Sequence, residues 1–300
     1  MEFMMLMMMF YVTLKTFEKI AYLRVQSQKN LDTFALNFIF FVFLSPFFFN
    51  SKTGMSGHSK WSTIKRKKGA ADQKRSKIFS RIIKEITVAV KESGSDPDDN
   101  PRLRMALNNA RGANMPKENI QRALSKAKDT EALHEITYEG YAPNGIAIFV
   151  ECLTDNPQRT LSSIRSIFSK RGGSLSTNGS VAFMFDRKGI IRIPKSGFNA
   201  DELQLEIIDA GVEDFEEEDD VFVITTPLDG FTSVQKKLEE LGVEVENAEL
   251  QRIPVETKTL DAESGVKVLK IVEIIEDDDD VQNVFHNLEI TDEIIEKVEM

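Results

Sequence analysis

Gly189-Ile190-Ile191-Arg192-Ile193 and Val221-Phe222-Val223-Ile224-Thr225 are two β-branched, apolar runs of strand length in one stretch, residues 189–252, whose reading decides the fold. Between them, Ala200–Ala210 reads as a helix and Val212–Phe215 as a short strand. After them, Gly230–Leu241 reads as a helix and Val243–Arg252 as a fourth strand. The order β-α-β-β-α-β is the split-βαβ, ferredoxin-like pattern.

Working outward, Gly145–Leu153 is an apolar run suited to a buried strand. Asn156 then caps a helix with Pro157 in its first turn and Leu161, Ile164, Ile167 and Phe168 on its core face. Arg171-Gly172-Gly173 ends it, and a β-element near Leu175 and a strand Val181–Phe185 follow. Downstream lie one more helix, Asp261–Ile275, and one more strand, Val284–Ile290. Those two elements are what the upstream β-α-β-β lacks. The expected architecture is therefore α+β: an N-terminal helical bundle followed by two ferredoxin-like α/β sandwich domains, one inserted in the other. The expected boundaries are 55–133 for the bundle, 134–186 plus 254–300 for the discontinuous sandwich, and 187–253 for the inserted one.

The bundle follows from helical spacing. Asp72 to Glu92 places Ile78, Phe79, Ile82, Ile83, Ile86 and Val90 on an apolar face, and Gly94 and Pro97 end the helix. Pro101 opens a second helix through Leu103, Ala106, Leu107 and Ala110. Pro116 opens a third, with Ile120, Ala123, Leu124 and Ala127 inward. The segment before Asp72 lacks an apolar stripe and is read as extended or mobile.

Residues 1–54 differ in kind from the rest, with a Met-rich opening and eight Phe among residues 34–49. A spanning or signal segment is interrupted here by Asp32, Asn37 and Pro46, and no small-residue cleavage site follows. A transit peptide is expected to be richer in Arg and Ser. The favoured expectation is upstream sequence translated from a start placed before Met55. A membrane anchor or targeting segment is the alternative, and with it an organellar location in place of a cytoplasmic one.

The net charge of −10 conceals a division. Residues 55–129 hold eighteen Lys and Arg against eight Asp and Glu, a net of +10; residues 130–300 hold fifteen against thirty-seven, a net of −22. A basic module for polyanions on an acidic body is the natural reading. Cys152 is the only cysteine and reads as a small buried hydrophobe. His58, His134 and His286 show no ligand spacing, so no metal or cofactor site is expected. Phosphate-loop, zinc-protease and nucleophile-elbow motifs are absent, and the chain reads as non-enzymatic with no small-molecule substrate. Gly172-Gly173-Ser174 and Gly179-Ser180 read as turn chemistry, and the runs Glu213–Asp220 and Glu276–Asp280 as solvated acidic loops.

The chemistry concentrates in an arm. Between Lys60 and Arg81 there are nine Lys or Arg against one acid, Asp72, with the only Trp at the head. His58, Lys60, Trp61, Lys65, Arg66, Lys67, Lys68, Lys74, Arg75, Lys77 and Arg81 are the candidate nucleic-acid-binding residues. Density peaking where no apolar stripe exists points to phosphate contact, and an aromatic ring among cations suits unstacked bases. No base-reading geometry is apparent.

Gly57-His58-Ser59-Lys60-Trp61, Lys68-Gly69-Ala70, Asn100-Pro101-Arg102-Leu103-Arg104 and Ala113-Asn114-Met115-Pro116-Lys117 closely resemble the YebC/PmpR family. So do Tyr138-Glu139-Gly140-Tyr141, Leu153-Thr154-Asp155-Asn156, Arg159-Thr160, Gly172-Gly173 and Gly179-Ser180-Val181. The resemblance runs from Met55 nearly to the C-terminus and implies a three-domain α/β protein with a helical N-terminal domain. It implies one of two functions: a probable DNA-binding transcriptional regulator, or a ribosome-associated factor that relieves stalling at consecutive prolines. A mitochondrial translational activator belongs to the same family. The partner is thus DNA or ribosomal RNA. A protein-binding role for the acidic domains, with the arm incidental, is a third class.

Overall fold

The computed structural model describes residues 71–300 except Ser196, Asp219 and Met300. The expectations for residues 1–54 and for 55–70 lie outside these described residues.

Three helices open the described chain: α1 (Ala71–Ser93), α2 (Pro101–Gly112) and α3 (Lys117–Ala127). Asn100 starts α2 by accepting the Leu103 N–H at 3.0 Å, and its amide nitrogen donates to Ala89 O and Gly94 O. One side chain thus caps α2 and ties off α1. Ile82, Ile86, Ala89 and Val90 of α1 meet Leu103, Ala106, Leu107 and Ala110 of α2 and Ala123 and Ala127 of α3 in one core.

The first sheet contains β1 (His134–Ala142), β2 (Ile146–Thr154), β3 (Ser174–Leu175) and β8 (Val281–His286), in the antiparallel order β3-β1-β2-β8. Helices α4 (Pro157–Lys170) and α7 (Ala262–Glu276) cover one face. Ile148, Val150, Ile164, Phe168, Val268, Val272 and Val284 share its core, and β8 pairs with β2. The C-terminal helix and strand therefore complete the sheet begun by β1 and β2. A last helix, α8 (Asp292–Glu299), packs on α7 through Ile294, whose methyl occupies the space a Cβ at Gly265 would need.

The second sheet contains β4 (Phe185–Pro194), β5 (Asp214–Glu217), β6 (Val221–Pro227) and β7 (Asn247–Pro254), in the order β5-β6-β4-β7. With α5 (Ala200–Ile207) and α6 (Phe231–Glu240) it is a split βαβ in the ferredoxin-like order. The fold is α+β, with the second sheet formed by chain lying between the parts of the first.

Three expectations need correction. Residues 181–185 do not form a strand of the first sheet: Ala182–Met184 is a 3₁₀ turn, and Phe185 begins β4 of the second. The position between β2 and β3 is filled by β1, in which Ile136, Tyr138 and Ala142 face the core and alternate with Glu135, Thr137 and Glu139, so that it lacks the continuous apolar run of β2. Glu139 is buried because it does a specific job. Its carboxylate accepts the N–H groups of Gly179, Val181 and Ala182 at 2.6–3.0 Å, which fixes the turn. Gly179 adopts φ +86°, which a side chain would strain. Burial opposes ionisation of Glu139, yet these three donors hold its carboxyl below the ordinary range.

The acidic run Glu213–Asp220 is not simply a loop either. Asp214–Glu217 is an edge strand paired to β6, flanked by ion pairs Lys188–Glu213 and Lys195–Glu217 (2.7 Å for the latter). Charge along an exposed edge blocks further strand addition. Nor is Glu276–Asp280 a solvated loop.

Candidate nucleic-acid interface

Two faces of α1 bear on the site. The apolar face enters the bundle. Lys77, Arg81 and Lys84, spaced four and three residues apart, share a second face. That face is seated on the turn after α7. Lys77 forms an ion pair with Asp277 and donates to its carbonyl at 3.2 Å. Arg81 Nη2 donates to Glu276 O at 2.9 Å. Lys84 Nζ donates to Leu153 O at 2.9 Å, to Asp279 O at 2.8 Å and to Asp280 Oδ1 at 3.2 Å. Cations against the last carbonyls of a helix are also favoured by its dipole.

Asp280 is the hub beneath this contact. Its Oδ2 accepts from Thr160 Oγ1 at 2.8 Å, Thr154 Oγ1 at 3.1 Å and Arg159 Nη2 at 2.8 Å. Burial pushes its carboxyl up, but Arg159, Thr160 and Lys84 outweigh that and hold it down at about 2. Ser163 Oγ donates to Asp278 Oδ2 at 2.5 Å. Nearby, burial together with Asp278 and Asp280 pushes the Cys152 thiol up to about 12, as befits an inert core cysteine.

The bundle is also fastened to the second sheet. Asn109 Nδ2 donates to Ala248 O and its Oδ1 accepts the Ala248 N–H, both at 2.8 Å. Gly112 approaches Glu246 so closely that a Cβ there would lie 1.7 Å from the Glu246 carbonyl oxygen. Arg102 links α1, α2 and β1 through Glu85 (3.1 Å), Glu92 (2.9 Å) and Glu135 (2.5 Å).

The eleven candidate residues therefore fall into groups. Lys77 and Arg81 are engaged by the α7 turn. Arg75 is exposed and has no ion pair among the described residues. The backbone of Lys74 belongs to α1, but its side chain, with His58, Lys60, Trp61, Lys65, Arg66, Lys67 and Lys68, lies outside the described residues. The structure adds cations that the arm-centred reading missed. Lys117, Arg122, Lys126 and Lys128, on and after α3, are exposed and have no ion pair among the described residues. Their signal was a basic α3 whose apolar stripe runs through Ile120, Ala123 and Ala127 and leaves the lysines outward.

The comparisons with known proteins agree along the chain. Residues 59–130 match the TACO1/YebC protein N-terminal domain, and residues 133–288 match the TACO1/YebC second and third domain. The chain belongs to the TACO1/YebC family. A relative from Brachyspira hyodysenteriae, named a probable transcriptional regulatory protein, is 49% identical over 81% of this chain and 100% of its own. One from Amoebophilus asiaticus with the same name is 50% identical over 78% of this chain and 98% of its own. The crystal structure of a conserved hypothetical protein from Aquifex aeolicus superposes with a TM-score of 0.71 at 42% identity, covering 79% of this chain and 99% of that one.

The residues that carry the family resemblance sort by what they touch. Leu153-Thr154, Arg159 and Thr160 build the Asp280 hub. Glu139 with Gly179 and Val181 fixes the turn into β4. Tyr138 Oη donates to Pro157 O at 3.2 Å at the start of α4. These residues hold TACO1/YebC domains in place. Among the described residues no helix is long and apolar enough to cross a membrane, and no group of His, Cys, Asp and Glu could hold a metal ion.

Proposed function

We propose that this protein regulates gene expression without catalysis, by binding nucleic acid through the cationic arm that runs into α1. The observation that carries this reading is the contrast along that helix. From Lys77 onward its cations are held by the protein's own carbonyls and carboxylates, whereas Arg75 at its start, and Lys117, Arg122, Lys126 and Lys128 on and after α3, are exposed and have no ion pair among the described residues. The contact with the α7 turn then anchors α1, which the arm directly precedes in sequence.

DNA is the first partner to test, since the relatives are named probable transcriptional regulatory proteins. A ribosome- or rRNA-associated translation factor is the second reading. It is favoured by one specific observation: a helix whose cationic face is docked is not free to lie in a major groove and read base edges. Cations on an arm, with one Trp, suit backbone contact and stacking on unpaired bases. Equilibrium binding of the full chain to a mixed-sequence DNA duplex and to a structured rRNA fragment, at matched salt, separates the two. Preference for the duplex supports transcription, and preference for the fragment with cosedimentation on ribosomes supports translation. Binding to neither would contradict both.

A further inference from the structure

The inserted sandwich carries a surface that the nucleic-acid reading does not use. Helix α5 buries one face and, among acidic residues, exposes an apolar side chain on the other. Leu203 and Ile207 fill the core, while Leu205 is 72% exposed and Ile208, just past the helix, is 53% exposed. Leu228, 50% exposed, stands on the adjoining loop, whose Gly230 meets the Gly211 carbonyl so closely that a Cβ would lie 2.9 Å from it. Between α5 and α6 a shallow hollow is lined by Leu205, Glu206, Asp209, Ala210 and Lys237. Single exposed apolar side chains need no explanation, but Leu205 lining the hollow, with Ile208 and Leu228 on the segments adjoining it, marks a contact surface.

Charge decides what fits. Residues 200–210 and 228–241, which carry the two helices and the Leu228 loop, hold seven Asp and Glu against two Lys and no Arg. Around the hollow only Glu206 is neutralised, by Lys237 at 3.7 Å. Asp201, Glu202, Asp209 and Asp229 are exposed and have no ion pair among the described residues. Such a field repels nucleic acid and attracts a polycation.

We propose that the outer face of α5, with the Leu228 loop, docks a cationic protein segment that places an apolar side chain in the hollow and Lys or Arg on the acidic rim. Proteins that handle nucleic acid commonly carry such segments. The protein would then hold nucleic acid with one end and a basic partner protein with the other.

The test uses the full chain and two labelled synthetic peptides of equal charge, one alternating Lys with Leu and one alternating Lys with Ser. The Lys–Leu peptide is expected to bind, the Lys–Ser peptide about tenfold more weakly, and Leu205→Ser with Ile208→Ser to cut Lys–Leu binding about tenfold. Amide-exchange protection by the peptide should map to α5 and the 227–230 loop. Because both residues are exposed, the variants should keep the wild-type melting profile. Equal affinity for the two peptides, or undiminished binding by the double variant, would overturn the proposal. So would a wild-type dimer that L205S/I208S turns into a monomer, since a second copy would then be the occupant.

Discussion

Replacing Asp280 with Asn removes the charge at the hub while leaving its shape. A carboxyl held at about 2 instead of the ordinary 3.8 corresponds to about 2 kcal/mol of stability at neutral pH, before allowance for solvent. The side chain is 10% exposed, so screening trims that figure only in part. Lys84 keeps its two carbonyl acceptors and Arg159 keeps Asp155, so neither charge is stranded. The expected loss is about 1–2 kcal/mol, or roughly 2–8 °C in the midpoint of a unit this size. Cys152 supplies the assay. It is the only thiol, 3% exposed and next to the hub, so alkylation in rising denaturant reports opening of this region. The sign with pH is fixed. A depressed carboxyl contributes fully above about pH 4 and loses its contribution as the pH falls through about 2, so the gap between wild type and D280N should narrow toward pH 3. A variant alkylated at the wild-type midpoint at pH 7, or a gap unchanged at pH 3, would refute this account of the hub.

Other outcomes follow from the same contacts. Asp277→Asn releases Lys77 from a pair that is largely exposed, so stability should change by less than about 1 kcal/mol while nucleic-acid binding tightens and its salt dependence steepens, read by titration at several salt concentrations. Gly112→Ala must push the Glu246 backbone away. It should cost roughly 2 kcal/mol or more and raise amide exchange in α2 and at the start of β7, whereas a surface Ala substitution at exposed Arg111 should do neither. Glu139→Gln leaves the Gly179–Ala182 turn with fewer acceptors and no charge. It should cost roughly 1–3 kcal/mol and increase proteolysis between β3 and β4.

The elements that were easy to read are those where local signals agree with tertiary demand. Asn100-Pro101, Asn156-Pro157 and Asp261 mark helix starts through capping chemistry that acts within four residues. The β-α-β-β-α-β order in 189–252 was legible because both of its central strands are buried on both faces and read as continuous apolar runs. Strand β1 was overlooked because its apolar residues alternate with polar ones instead of forming a continuous run, and no local pattern reports that Glu139 is buried for the Gly179–Ala182 turn, forty residues away. The acidic run at 276–280 misled for the same reason. A solvated loop and a ligand for Lys77, Arg81 and Lys84 look alike in composition, and only the approach of α1 distinguishes them. The arm was conspicuous by charge alone, but which of its cations the protein keeps for itself required the fold. Likewise the exposure of Leu205 and Ile208 could not be read from a short helix in which Leu and Ile fall on the buried and the exposed face alike.

The central claim is that the arm before α1 carries the binding of nucleic acid. Its most direct test is the salt dependence of binding by the full chain and by a variant with Lys65, Arg66, Lys67 and Lys68 replaced by Ala. Removing one cation from a phosphate should lower the slope of log affinity against log salt by about 0.7 to 0.9, so the account predicts a slope smaller by roughly 3 and much weaker binding at physiological salt, with the melting profile unchanged. An affinity and slope equal to those of the wild type would contradict it.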